Sequence, residues 1–183
     1  IKELENKSYQ VEIAMCSTLS LDYVWERYKD TQNTKAVKKG VLDIDLERVK
    51  QLALQIKTPE DIREYIHEIE STNNAQRVSQ TIETFFAGGI ALATSDIHIE
   101  PEEDGIRVRY RLDGVLHDIM DVERDIYKRM ISRLKLLSGM LLNIRDQAQD
   151  GRFTFDLGDK NVEVRSSIIP GAAGESIVMR LLD

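Results

Sequence analysis

The sequence predicts an α+β fold: a helical connector followed by a mostly antiparallel sheet with helices packed on it. Two observations point there. The apolar period changes from 3.6 to 2 at Ser95, and an Asp113-Gly114 pair separates two alternating runs, a strong hairpin signal because both turn positions want positive φ. A third observation divides the chain. Residues 1–94 hold 4 Arg and 8 Lys, whereas residues 95–183 hold 10 Arg and 3 Lys, so the second half is where forked contacts to an oxyanion are expected.

The elements follow in order. Val11, Ile13 and Met15 alternate as on a half-buried strand, and Leu21, Val24, Trp25 and Tyr28 carry helical spacing. Residues 30–41 are polar and Lys-rich and read as a linker. Leu46, Val49, Leu52 and Ile56 define a helix over 44–56. Thr58-Pro59-Glu60-Asp61 starts the next, with a cap, a proline at the first position and two acids facing the positive helix end. Ser71-Thr72-Asn73-Asn74 breaks that helix, and Val78, Ile82, Phe85, Phe86 and Leu92 mark another over 75–93.

Strands are expected at 95–100, 106–112 and 115–120, then a long helix over 122–142. After Gln149-Asp150-Gly151 come strands at 152–157, 161–168 and 176–182, the last two separated by a loop holding Pro170, Gly171 and Gly174. The domain boundaries read from this pass are 1–40, the tail of a first domain plus linker; 41–74, a helical connector; and 75–183, a second domain.

The 183 residues carry 25 Lys+Arg against 32 Asp+Glu, a formal net charge of −7. That excludes generic affinity for nucleic acid or an anionic membrane. No window approaches the roughly 20 apolar residues of a bilayer span, and the acidic start lacks a signal-peptide pattern, so a cytosolic protein without membrane insertion is expected. Cys16 stands alone and reads as a small buried hydrophobe.

From Ser95-Asp96-Ile97-His98-Ile99-Glu100-Pro101 onward the sequence resembles the secretion ATPases, the hexameric GspE/PilB-like motors of type II secretion and type IV pilus assembly. The resemblance runs in order through Arg109-Tyr110-Arg111-Leu112-Asp113-Gly114, Ser132-Arg133-Leu134-Lys135, Gln149-Asp150-Gly151-Arg152, Val164-Arg165-Ser166, Gly174-Glu175 and Val178-Met179-Arg180-Leu181-Leu182-Asp183. Collinear blocks over half the chain carry more weight than any one motif. The chain departs from the family before Gln149: Leu141 and Ile144 stand where acids are usual, and Ala148 where proline is.

The resemblance implies a PAS-like second N-terminal domain and a mechanical role. It implies packing on the motor's own catalytic domain and on neighbouring subunits of a hexamer, with motion passed to platform proteins at the inner face of the cytoplasmic membrane. ATP and Mg²⁺ are the cofactors implied for the full-length protein, with none held tightly here. None of the ten glycines is followed by Lys, so the phosphate-binding Gly-x-x-x-x-Gly-Lys-Ser/Thr loop is absent and no catalytic residue is expected in these 183 residues. In the family that loop lies beyond the Met179-Arg180-Leu181-Leu182-Asp183 block, so the expectation is a chain that stops before the motor core.

Arg165 and Arg180 fall in the polar phase of their strands. In the family, arginines at these motif positions look across to nucleotide phosphates on a catalytic domain, where a fork of donors stabilises transferring charge. Arg152 ranks third, either tying the turn to a neighbouring subunit or beginning a strand. Arg107, Arg109 and Arg111 share one strand face, with Glu102, Asp113 and Asp118 near enough in sequence to make it a salt-bridged surface. Asp96, His98 and Glu100 also share a face; they would form part of a metal site only with a ligand from elsewhere, and otherwise form a polar face toward another domain. The alternative of a different class is a non-enzymatic ligand-sensing or scaffold module in a catalytically inactive homologue.

Overall fold

The computed structural model describes Thr18 and residues 44–72, 76–158 and 160–182. The strand expected at 11–15, the helix at 21–29, Cys16 and the linker at 30–41 lie outside them. Apart from Thr18, the described residues belong to one compact unit, Lys38–Asp183.

Helices α1 (Leu46–Gln55) and α2 (Pro59–Ser71) begin where the capping chemistry places them. The Asp45 carboxylate accepts from Arg48 N at the start of α1. At α2, Thr58 and Asp61 form a reciprocal capping box, Pro59 occupies the first turn, and Asp61 also accepts from Lys57 N at 2.8 Å. Those backbone donors hold the Asp61 carboxyl below its usual range. The apolar stripes of both helices face α3 (Arg77–Ala91), through Val49, Leu52, Ile62, Ile66 and Ile69.

α3 is buried around most of its circumference, as expected of a helix sandwiched between other helices and a sheet. Its polar residues Thr81 and Thr84 satisfy their hydroxyls on carbonyls four residues back. Gly88 lets α2 approach: a Cβ there would lie 2.5 Å from Ile62 Cδ1. Phe86 meets Phe153 and Phe155 edge-on, at centroid distances of 5.7 and 4.7 Å, and the buried Tyr110 hydroxyl donates to Phe85 O at 2.7 Å.

The six strands are β1 (Asp96–Pro101), β2 (Ile106–Leu112), β3 (Val115–Val122), β4 (Gln149–Asp156), β5 (Asn161–Gly171) and β6 (Gly174–Leu182). They form one sheet in the order β3-β2-β1-β6-β5-β4, antiparallel at every pairing. Two meanders, β1–β3 and β4–β6, are joined by α4 (Arg124–Leu137) and meet at the central β1–β6 pair. Asp113 and Gly114 take φ of 48° and 82° at the β2–β3 turn, as their sequence requires. One sheet face, with Ile97, Ile99, Val108, Tyr110, Phe153, Phe155, Val164, Ile177 and Met179, joins the core beneath the helices.

Three boundaries differ from expectation. The helix expected over 122–142 is shorter, because Val122 pairs with Ile106 in the sheet and Gly139, at φ 72°, takes the left-handed position that stops a helix after Ser138. Gln149, Asp150 and Gly151 are strand rather than turn, paired with Ile168, Ser167 and Ser166. The loop expected around Pro170 narrows to a two-residue connection, since Gly171 pairs with Gly174.

Candidate functional site: an arginine row on the sheet face opposite the helices

Along antiparallel strands, residues directly opposite each other project from the same face. The register places Arg152 of β4 opposite Arg165 of β5, Arg165 opposite Arg180 of β6, Arg180 opposite Asp96 of β1, and Asp96 opposite Arg111 of β2. A single row therefore crosses five strands, at steps of about 4.8 Å, on the face opposite the helices. The three sequence-predicted residues, Arg152, Arg165 and Arg180, stand side by side in it.

Like charges directly opposite each other weaken a sheet, so three consecutive arginines need a compensating partner. Asp96 supplies it at one end. It is 4 % exposed, and accepts from Arg180 Nε at 2.9 Å, Arg111 Nε at 3.2 Å and Ser95 Oγ at 2.9 Å. Burial alone would raise the Asp96 pKa; the hydrogen bonds from Arg180 and Ser95 and the charges of both arginines outweigh it and hold the carboxyl below its usual range.

Arg165 leans on Glu163 two residues back, Nε to Oε1 at 2.8 Å, and that bond lowers the Glu163 pKa. Arg152 makes no hydrogen bond or ion pair among the described residues, though its charge also acts on Glu163. The side chains of Arg165 and Arg180 are both 64 % exposed. Each is engaged through Nε, and among the described residues its two terminal nitrogens have no partner and form a fork, the geometry that suits a phosphate or carboxylate.

Gln149-Asp150-Gly151-Arg152 positions the outer end of the row. Gln149 donates to the Leu141 and Ile144 carbonyls and accepts from Leu141 N, which fixes the loop after α4. The Asp150 carboxylate accepts from Ser167 Oγ at 2.5 Å. Gly151 lies so near Ser138 that a Cβ would collide with its carbonyl oxygen; β4 therefore packs directly on the C-terminal end of α4.

The other residues singled out from the sequence are committed to one another. Arg107 pairs with Glu102 at 2.9 Å and lies 4.0 Å from Asp121, Arg109 pairs with Glu100, and Arg111 with Asp96. Glu102 is the expected partner, whereas Asp113 and Asp118 are not used; the sheet register brings Asp96, Glu100 and Asp121 instead. His98 Nδ1 sits 3.3 Å from Glu100 Oε1, so the Asp96-His98-Glu100 face meets arginines. Sequence reasoning missed Asp96 as the anchor of Arg180, because a separation of 84 positions along the chain hides a contact that the β1–β6 pairing creates.

Comparison with known proteins shows what the chain is similar to. Residues 71–183 match the family model described as type II/IV secretion system protein. The type IV pilus assembly ATPase PilB of Myxococcus xanthus is 31 % identical over 176 residues, 96 % of this chain and 30 % of that protein. A putative type II secretion system protein E of Escherichia coli is 32 % identical over 83 % of this chain and 30 % of its own length. The type II secretion system protein E of Xanthomonas campestris is 43 % identical over 51 % of this chain and 17 % of its own. The chain thus spans about 30 % of the first two relatives. No helix among the described residues is long and apolar enough to cross a membrane. With the match covering most of the chain and the relatives agreeing in kind, the chain belongs to the GspE/PilB-like secretion ATPase family.

Proposed function

We propose that the chain is the N-terminal coupling region of a secretion or type IV pilus assembly ATPase, with 75–183 as its PAS-like second domain and 41–74 as a helical connector to the preceding one. It packs on the motor's catalytic domain within a hexamer at the inner face of the cytoplasmic membrane. Its arginine row completes the site of ATP and Mg²⁺ bound there, and its motion passes hydrolysis on to platform proteins. The observation that carries this reading is the alignment of Arg152, Arg165 and Arg180 on the sheet face opposite the helices, with Arg180 held at Nε by a buried carboxylate and its fork without a partner among the described residues.

A donor fork that meets phosphate only in a closed state stabilises transferring charge without being needed for folding. The test is Arg165→Ala and Arg180→Ala, made in this chain and in the full-length protein. Arg165→Ala is expected to leave melting of the chain unchanged or slightly raised, because it removes like-charge repulsion, whereas Arg180→Ala is expected to cost about 1 kcal/mol without unfolding the chain, since Asp96 keeps Arg111 and Ser95. ATPase activity of the full-length variants is expected to fall at least about tenfold, roughly 1.4 kcal/mol of transition-state stabilisation. Full activity in both, or a chain that unfolds, returns the residues to a structural role.

A further inference from the structure

On the helical side of the sheet, α4, the β5–β6 turn and the loop after α4 enclose a cavity of about 280 Å³. Its apolar wall is made by Ile106, Ile131 and Leu142, and four cations line it against one carboxylate, Glu175. Two of those cations are engaged. Arg124 donates to the Glu102 and Glu103 carbonyls, and Lys128 lies 3.3 Å from Asp125 on the exposed rim.

The other two retain capacity. Lys135 is 2 % exposed and donates to Ile144 O at 2.7 Å and Glu175 Oε1 at 2.5 Å. An ammonium group has three hydrogens, so these two acceptors leave one without an acceptor among the described residues, on a side chain that lines the cavity. Arg145 is exposed and has no ion-pair partner among the described residues.

A buried lysine needs one carboxylate to offset its desolvation, and Glu175 fills that need. It does not account for additional positive charge beside an apolar wall. An apolar cavity with a few convergent polar groups is the usual form of a small-molecule site, and this volume lies just below the roughly 300–1,000 Å³ such sites span, a size that suits a small ligand rather than a nucleotide. We propose that the cavity binds a small organic monocarboxylate with an apolar tail. The carboxylate lies on Arg145 and the remaining Lys135 hydrogen, and the tail lies against Ile106, Ile131 and Leu142. This site is on the other side of the sheet from the arginine row and does not depend on the nucleotide reading.

The experiment titrates the 183-residue chain with octanoate, and separately with octylammonium and octanol, following backbone amide shifts by NMR. Octanoate is expected to give saturable shifts centred on Ile131, Ser132, Leu142 and Gly174, and octylammonium none there. Arg145→Glu, at an exposed position that leaves the fold intact, is expected to weaken octanoate binding at least about fivefold. Ser132→Trp, which fills the cavity from α4, is expected to abolish the shifts while the rest of the spectrum is retained. Absence of saturable octanoate shifts, equal binding of octylammonium, or unchanged affinity in Arg145→Glu would overturn the proposal.

Discussion

Glu175→Ala is expected to lower the stability of the chain by about 3–5 kcal/mol, the usual cost of stranding one member of a buried ion pair. Glu175 is 13 % exposed and Lys135 2 %, so among the described residues the ammonium left behind keeps the Ile144 carbonyl alone. The pair also ties three segments together. Lys135 belongs to α4, Ile144 to the loop leading into β4, and Glu175 to the start of β6 beside the tight turn, where Tyr127 also donates to the Glu175 carbonyl. Urea denaturation reads the loss directly. Adding Lys135→Met is expected to recover most of it, because an apolar side chain of similar length removes the stranded charge. A cost below about 1 kcal/mol for Glu175→Ala would mean that water reaches Lys135 and that the clasp contributes little.

Asp96→Ala is expected to cost about 2 kcal/mol and to act on stability and activity together. Two charge-assisted hydrogen bonds disappear, each worth roughly 1.5–3 kcal/mol before discounting for the exposed ends of both arginines. Arg111 and Arg180 are then left in the same row as Arg165 and Arg152 without a carboxylate between them. Arg180 also loses the bond that orients its fork, so the ATPase rate of the full-length variant should approach that of Arg180→Ala.

The pH dependence has a definite sign. The folded Asp96 pKa lies below its ordinary value of 3.8, so its contribution is fully present above that value and fades as pH falls through the lower folded one. The stability gap between wild type and Asp96→Ala should therefore be flat from about pH 5 to 8 and close below about pH 4. A gap that stays constant down to pH 2, or widens there, would show that Asp96 acts through its packing rather than its charge.

Most of the architecture was legible because it is local. Thr58-Pro59-Glu60-Asp61 carries its own start signal, Asp113-Gly114 its own turn, and the alternation of Ile106 to Leu112 its own two faces, and each folds as its residues dictate. The polar phase of Arg165 and Arg180 was legible for the same reason. Misread elements are those where tertiary contacts decide. Gln149-Asp150-Gly151 looks like a turn in isolation, yet it is held extended by β5 and by Gly151 packing on Ser138. The alignment of Arg152 with Arg165 and Arg180, and the anchoring by Asp96, depend on strand order and register, which periodicity along one strand does not encode.

The most direct measurement combines a family catalytic domain lacking this region with the 183-residue chain supplied in trans, and follows ATP hydrolysis. The chain alone is expected to hydrolyse none, since it has no phosphate loop, and to accelerate the catalytic domain at least about tenfold. A chain carrying Arg165→Ala and Arg180→Ala together is expected to bind the catalytic domain as tightly as wild type and to leave its rate unchanged. Equal acceleration by the wild-type and doubly substituted chains would contradict the claim that this arginine row acts on the bound nucleotide.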